Sequence, residues 1–192
     1  MDEALERKIA EHLQAGDYAA AATAALNGLG PQILGYLGAA LRDEDAAYDV
    51  FGHFCEELWK SIAKFRGESS FKTWAYKLVM HSVGRYRRDG YRKRGQALGS
   101  DVSSIAEQIR SQTAPYQRTE VKDKFAQLRE TLEPAEQTLL FLRVDQDLSW
   151  NDIAAILSAE GEEVEAAAVR KRFERAKARL KKLAEEQGLF DG

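Results

Sequence analysis

Residues 65–88 read FRGESSFKTWAYKLVMHSVGRYRR and join an apolar stripe to a basic surface rich in aromatic residues. Apolar side chains from Phe71 to Tyr86 recur at spacings of three and four, which predicts an amphipathic helix with one buried face. The FRGESS segment before it, with Gly67, predicts a short loop. Elsewhere β-branched residues are sparse and no run alternates with period two, so the pattern favours an all-α fold.

We predict two small helical domains joined by a linker. Residues 1–94 form the first domain with an N-terminal extension, residues 95–117 the polar linker, and residues 118–192 the second domain. In the first domain we expect a helix over roughly residues 2–15 and an alanine-rich helix broken by Gly28 and Gly30. Pro31 then opens another helix, and an acidic run at 42–45 opens a fourth. The linker contains at most a short helix around residues 105–109.

The second domain has the proportions of a helix-turn-helix unit. A helix with Val121, Phe125, Leu128 and Leu132 ends before Pro134, which suits the first turn of the next helix. Ser149 is a good N-cap for a short helix, with Asp152 three residues later. A long basic amphipathic helix follows after an extended turn at residues 158–168. This arrangement places a basic recognition helix where it can contact phosphates and base edges.

The formal net charge of −3 hides a strong asymmetry. Residues 1–60 carry four basic and eleven acidic residues, whereas residues 64–94 carry ten basic and two acidic. Residues 170–182 carry eight basic and one acidic. Attraction to phosphate depends on the local field, because distant charges are screened. The two basic patches therefore predict nucleic-acid contacts, although the net charge of the whole chain is negative.

Cysteine usage and hydropathy predict a cytoplasmic protein. Cys55 is the only cysteine, so an intramolecular disulfide is impossible and a reducing compartment is the natural setting. No segment approaches the length of a membrane span, and the N-terminus does not resemble a signal peptide.

The role of the aromatic side chains between positions 71 and 91 can be interpreted in two ways. Bases of single-stranded DNA stack on aromatic rings while Lys and Arg follow the backbone, which suits Trp74, Tyr76, Tyr86 and Tyr91. The structural interpretation places Phe71 and Trp74 in the core. Tyr76, His81, Arg85 and Arg88 fall off the apolar stripe, so the functional interpretation rests on them.

Taken together, these residues resemble extracytoplasmic-function sigma factors, a family of RNA polymerase subunits. A Leu58-Trp59 pair, an FRG loop and a TW-x-Y motif (Thr73, Trp74, Tyr76) resemble region two of that family. LEPAEQTLLFLRVDQDLSWNDIAAIL followed by VRKRFERAKARLKKL resembles region four. The chain departs from the family's Asp-x-x-Gln-Glu-x-Phe pattern: Asp49 is present, but Gly52, His53 and Cys55 replace the other three.

The resemblance implies a sigma factor that binds the clamp region of core RNA polymerase, recognises duplex and single-stranded promoter DNA and promotes melting. It implies no cofactor and no catalysis by this chain; an anti-sigma factor is a possible further partner. The implied minus-ten and melting residues are Arg66, Lys72, Trp74, Tyr76, Lys77, His81, Arg85, Tyr86 and Arg88. The implied minus-thirty-five residues are Ser149, Asn151, Arg170, Lys171, Arg172 and Arg175. The implied polymerase-binding residues are Asp45, Asp49, Glu56 and Trp59.

Two other functions stay open on the sequence alone. The chain could be a stand-alone helix-turn-helix regulator whose first 95 residues dimerise or sense a signal, but the aromatic-basic stretch then has no role. An enzyme is disfavoured, because the sequence lacks a Gly-rich phosphate loop and a metal-spaced cluster. His53 and Cys55 are two apart on a helix and so face different directions.

Overall fold

The computed structural model describes residues 3–89, 100–113, 128–129, 131–161 and 163–186. Within those ranges the chain forms eight α-helices and no strand, so the all-α prediction is confirmed. The helices are α1 (Glu3–Gln14), α2 (Tyr18–Leu41), α3 (Glu44–Ser61), α4 (Phe71–Asp89), α5 (Ser100–Thr113), α6 (Pro134–Leu140), α7 (Trp150–Leu157) and α8 (Ala166–Glu186). Both predicted domain boundaries, and also Tyr91, Val121 and Phe125, lie outside the described residues.

Helix α2 runs without a break through the two glycines and the proline that were expected to end one helix and begin another. That prediction is wrong, because the glycines serve close helix packing. A Cβ atom on Gly30 would lie 2.6 Å from the Cδ1 atom of Ile109 on α5, and one on Gly28 would collide with Leu5 on α1. Burial of the surrounding apolar residues offsets the low helix propensity of glycine and proline.

Helix α3 begins and packs as the sequence predicts. Asp43 is its N-cap, with Oδ1 accepting a 3.0 Å hydrogen bond from the amide of Ala46. Acidic residues fill the first turn, where the helix dipole favours negative charge. The whole predicted apolar stripe is buried: Ala47, Val50, Phe51, Phe54, Leu58 and Ile62.

Helix α5 occupies fourteen residues of the stretch predicted as a polar linker, where only a short helix was expected. Val102, Ala106 and Ile109 are buried at spacings of four and three, against α2 and α3. The guanidinium of Arg110 lies 3.8 Å from the centre of the Tyr48 ring on α3. Helices α1–α5 therefore pack together, and we call them the N-terminal module.

The C-terminal module consists of residues 128–129, 131–161 and 163–186. Pro134 starts α6, where Glu133 and Glu136 form a capping box. A wide π-helical turn follows at Phe141–Asp145. Ser149 caps α7 through a 3.1 Å hydrogen bond from the amide of Asp152, as predicted. Helix α8 buries Val169, Phe173 and Ala176 and leaves its basic side chains exposed.

The two modules contact each other, whereas the sequence suggested bodies that stand apart on a flexible linker. Helix α4 packs against α7, and α2 packs against α6. Phe141 stacks on Tyr36 with ring centres 4.5 Å apart and meets Tyr76 edge-on at 5.7 Å. One continuous hydrophobic cluster includes buried residues of both modules. The contact buries apolar side chains of both modules, which stabilises their docking.

Candidate nucleic-acid interface

The start of α4 is fixed by a loop and an aromatic cluster. Gly67 adopts a φ of +71°, which residues with a side chain rarely take. The hydroxyl of Ser70 accepts a 3.1 Å hydrogen bond from the Thr73 amide and caps the helix. The rings of Phe65, Phe71 and Trp74 lie 5.2–5.4 Å apart. Phe71 is buried and Trp74 half-buried, which agrees with a structural role for both.

Four of the predicted minus-ten residues form one stripe along α4. Lys77, His81, Arg85 and Arg88 follow at spacings of four, four and three, so they share a helix face. Lys77 is half-buried and the other three are exposed. This face can offer cationic and imidazole groups to a nucleic-acid strand.

Two other predicted minus-ten residues lie beside this stripe or in the adjoining loop. Tyr86 is half-buried near the end of α4. Arg66 is exposed in the loop, with its guanidinium 3.8 Å from the carboxylate of Glu68. An ion pair between such exposed groups contributes little to stability, so Arg66 is available to a ligand.

Lys72 and Tyr76 point away from the stripe and into the contact between the modules. Their exposed fractions are 5% and 1%. The ammonium of Lys72 donates a 2.5 Å hydrogen bond to the carbonyl oxygen of Gln146. The Tyr76 hydroxyl is buried without a hydrogen-bond partner among the described residues. Burial, and then the proximity of Tyr36 and Asp145, raises the pKa of Tyr76 well above its usual value.

Three polar links of this region were not predicted from the sequence: those of Glu6 to α4, of Thr73 to Asp152 and of Lys72 to Gln146. Both carboxylate oxygens of Glu6 on α1 accept hydrogen bonds from the first amides of α4, at 3.2 Å from Phe71 and 3.1 Å from Lys72. The Thr73 hydroxyl donates to Asp152 at 3.0 Å. Gln146 supplies the carbonyl that holds Lys72. These partners are 65 to 79 positions apart in sequence, and no local pattern marks such pairs.

The predicted minus-thirty-five residues divide between a groove and the exposed surface of α8. Ser149 and Asn151 of α7 line a groove of about 660 Å³ together with Arg170 and Lys171 of α8. Trp150 forms its floor, held edge-on against Phe173 with ring centres 5.2 Å apart. Arg175 and Arg172 are exposed outside this groove.

Arg172 turns toward the N-terminal module instead. It lines a crevice between the modules that also includes Arg87 and Met80 of α4. The structure therefore brings four of the six predicted minus-thirty-five residues together at the amino ends of α7 and α8, and places one at the module boundary.

The predicted polymerase-binding residues lie on one face of α3. Asp45 and Asp49 are exposed, and Trp59 is half-buried. The carboxylate of Glu56 accepts a 2.5 Å hydrogen bond from the ammonium of Lys60. At 100° per residue all four predicted side chains fall within about 80° of arc on the helix. These side chains form an acidic face with Trp59 at one edge.

Tyr48 borders this acidic face and is held from two sides. Its hydroxyl donates a 2.6 Å hydrogen bond to Glu44, and Arg110 covers its ring. The hydrogen bond to Glu44, followed by burial, raises the pKa of Tyr48. Helix α5 thus lies along one edge of the predicted polymerase-binding face.

Among the described residues, no group of three or more His, Cys, Asp or Glu side chains is arranged to hold a metal ion. Cys55 is buried within α3, and burial raises the pKa of its thiol. No helix in the described ranges is both long and apolar enough to cross a membrane.

Comparison with known proteins identifies the N-terminal module. Residues 26–93 match the family described as Sigma-70 region 2. RNA polymerase sigma factor YlaC of Bacillus subtilis (strain 168) is 29% identical over 162 residues, which are 81% of this chain and 90% of that protein. Residues 26–93 therefore form a sigma-70 region 2 domain. RNA polymerase sigma-H factor of Pseudomonas aeruginosa is 27% identical over 159 residues, 79% of this chain and 82% of that protein.

The family match places the α4 surface in sigma region 2. The matched residues include all of α3 and α4 and most of α2. The exposed stripe of α4 and the acidic face of α3 both belong to this region. Because each relative aligns over more than 150 residues, the similarity extends beyond region 2. The resemblance to RNA polymerase sigma factors that the sequence motifs predicted is confirmed.

Proposed function

We propose that this protein is a sigma factor of the extracytoplasmic-function type. It binds core RNA polymerase, directs it to promoters and promotes local melting of the DNA. The match of residues 26–93 to sigma region 2 carries this proposal, because it covers the basic stripe and the acidic face together. RNA synthesis belongs to the polymerase, and the protein acts in the cytoplasm, where the polymerase works.

In this proposal the exposed stripe of α4 binds the minus-ten element. Lys77, Arg85 and Arg88 neutralise phosphates of the separated strand, and the exposed imidazole of His81 stacks against or hydrogen-bonds an unpaired base. Both roles need accessible side chains, and His81, Arg85 and Arg88 are exposed in this structure.

The groove between α7 and α8 binds the minus-thirty-five element as a duplex. Arg170 and Lys171 lie at the first turns of α8, where a recognition helix meets base edges in the major groove. Ser149 and Asn151 lie at the amino end of α7, where the helix dipole favours a phosphate. Their placement on one groove supports a single DNA-binding surface.

The acidic face of α3 binds the polymerase. Asp45 and Asp49 are exposed on a surface whose sign is opposite to that of the DNA-binding surfaces. Separate charges of this kind let one subunit contact a protein with one side and DNA with another.

The proposal is tested by adding purified protein to core RNA polymerase on fragmented genomic DNA and sequencing the transcript starts. We expect co-elution with core enzyme and transcripts from a discrete promoter set that are absent without the protein. No co-elution and no new starts would refute the proposal. A stand-alone regulator would instead bind palindromic duplex sites tightly without core enzyme.

A further inference from the structure

We propose that Glu6 of α1 is a positioning residue for promoter melting, because its carboxylate fixes the loop of residues 65–70 at the amino end of α4. This inference rests on the proposed function, in which that loop and the α4 stripe meet the separated strand. Glu6 lies outside residues 26–93, so the match to sigma region 2 assigns it no role. The N-terminal extension thereby takes part in DNA opening.

The Glu6 carboxylate accepts hydrogen bonds from the two amides that begin α4. Its Oε2 lies 3.2 Å from the amide nitrogen of Phe71, and its Oε1 lies 3.1 Å from that of Lys72. The next amide, of Thr73, donates to the hydroxyl of Ser70 at 3.1 Å. The first amides of a helix have no partner within the helix, and here one carboxylate from another helix satisfies two of them. Its negative charge also interacts favourably with the helix dipole.

Helix α1 holds Glu6 in place through apolar contacts on both sides of it in the sequence. Ile9 is 1% exposed and belongs to the core. Leu5 packs so closely on Gly28 of α2 that a Cβ atom at that glycine would collide with it. The carboxylate is thus presented by a packed helix, and only its own side-chain rotamer has to be ordered to make the cap.

The cap controls the loop because both ends of the loop are attached to the first turn of α4. At one end, the carbonyl of Ser70 accepts the amide of Trp74 at 3.1 Å, and its hydroxyl lies 2.8 Å from that of Thr73. At the other end, the ring of Phe65 packs on Trp74 with centres 5.4 Å apart. Between these ends Arg66 is exposed. Fixing the first turn of α4 therefore fixes the loop that presents Arg66 to DNA.

The charge of the carboxylate also directs the DNA strand. The amino end of an α-helix otherwise binds a phosphate through its free amides. Because Glu6 occupies this position with a negative charge, a DNA phosphate is repelled from the first turn of α4. The strand is directed instead to Arg66 of the loop and to the exposed Arg85 and Arg88 of the stripe.

Amide hydrogen exchange in the free full-length protein tests the cap. Glu6→Ala removes both acceptors, whereas Glu6→Gln keeps the side-chain length and one acceptor. We expect exchange at Phe71 and Lys72 to be about fivefold faster in Glu6→Ala, as the loss of a helix cap predicts, and to increase less in Glu6→Gln. Glu11→Ala removes the same charge from an exposed position of α1 and should change neither amide. Unchanged exchange at both amides in Glu6→Ala overturns the cap.

Discrimination between promoter sequences tests the positioning role. Permanganate reactivity measures open complexes formed with core polymerase on one promoter and on variants of it with a single substituted base in the minus-ten element. A loop that is no longer fixed distinguishes these bases less well, so Glu6→Ala should lower the ratio of opening between natural and substituted promoters about fivefold. Glu6→Gln should lower it by a smaller factor. A protein that is only less stable loses opening on all promoters equally, which leaves the ratio unchanged.

The outcomes separate this inference from the proposed function. If the natural protein opens promoters and both Glu6 variants keep the ratio of Glu11→Ala, then Glu6 only stabilises the fold and the positioning role is wrong. Loss of co-elution with core polymerase in Glu6→Gln would place its role in polymerase binding and also overturn the inference. If the natural protein opens no promoter with core polymerase, the proposed function fails and the positioning role fails with it.

Discussion

The hydroxyl of Thr73 donates a 3.0 Å hydrogen bond to Oδ1 of Asp152, and this contact joins the caps of two helices. Thr73 belongs to the capped first turn of α4, where Ser70 Oγ lies 2.8 Å from its hydroxyl. Asp152 belongs to the first turn of α7, where its other oxygen accepts a 2.6 Å hydrogen bond from Ser149. The network connects the amino ends of two helices that the proposed function assigns to different promoter elements.

Thr73→Val should weaken this connection and leave both helices intact. The substitution keeps the side-chain shape and the cap from Ser70 to the Thr73 amide, but leaves Oδ1 of Asp152 without its donor. Loss of one partner from a part-buried carboxylate costs about 1–3 kcal/mol. A lower melting temperature together with faster acetylation of Lys72 would check this.

The control for Thr73→Val is Ser111→Ala. Ser111 is exposed on α5 and its hydroxyl bonds only locally, to the carbonyl of Gln108. The prediction is wrong if the two substitutions lower the melting temperature equally.

Two glycines of α2 should respond to alanine in opposite directions. A methyl group added at Gly38 would meet no neighbouring group within 4 Å, so Gly38→Ala should stabilise the helix by about 0.5–1 kcal/mol. At Gly30 the added methyl meets Ile109 Cδ1 at 2.6 Å, with its Cγ2 at 3.3 Å and the Phe51 ring at 3.4 Å. We expect Gly30→Ala to destabilise the protein by about 1 kcal/mol or more, since the free-energy cost of the steric clash exceeds the gain from the higher helix propensity of alanine.

Chemical denaturation of both variants measures these changes. Ile109→Val removes the Cδ1 methyl, so it should recover part of the loss in the Gly30→Ala background. Stabilisation by both alanines would show that α5 does not pack on α2 in solution.

Local patterns in the sequence were sufficient to predict most of the helices. The Asp43 and Ser149 caps, the proline at the start of α6 and the stripe of α3 all act over a few residues, so they can be read directly. The packing role of Gly30 could not be predicted, because it depends on the side chain of Ile109, which is 79 positions away in the sequence. The burial of Lys72 and Tyr76 could not be predicted for a related reason, because nothing near them in sequence reveals Gln146 or Phe141.

Tyr76→Phe should stabilise the protein near neutral pH, because it removes a buried hydroxyl that has no hydrogen-bond partner among the described residues. The gain should be about 1 kcal/mol or more. Tyr48→Phe is the matched control: its hydroxyl donates to Glu44, so its removal should bring no gain. Thermal unfolding at pH 7 compares the two, and equal melting temperatures would contradict the burial of Tyr76.

The same substitution should flatten the alkaline loss of stability. Burial raises the pKa of Tyr76, so the folded chain holds a proton that the unfolded chain releases above about pH 10. The stability linked to this proton is complete below that pH and falls as the pH rises further. Unfolding measured between pH 8 and pH 11 should show a steeper decline for the natural protein than for Tyr76→Phe.

Arg170→Ala should weaken recognition of the minus-thirty-five element. A base-contacting arginine contributes about 1–3 kcal/mol, so initiation from promoters that need this element should fall about tenfold or more. Lys181→Ala removes the same charge further along α8, where Lys181 pairs locally with Glu185. Transcription from one promoter by both variants tests the assignment, and an equal decrease would indicate general charge attraction in place of recognition.

His81→Ala should impair DNA opening and leave polymerase binding unchanged. His81 is exposed in the middle of the α4 stripe, on a different helix from Asp45 and Asp49, which we assign to the polymerase. Loss of one base contact costs about 1–3 kcal/mol, which corresponds to about tenfold or more in open complexes. Permanganate reactivity of unpaired thymines measures opening, and co-elution with core enzyme measures binding. Gln32→Ala, exposed on α2, serves as the control. If His81→Ala opened promoters as well as this control does, or lost core enzyme, then His81 would not be the residue of the stripe that meets the melted strand.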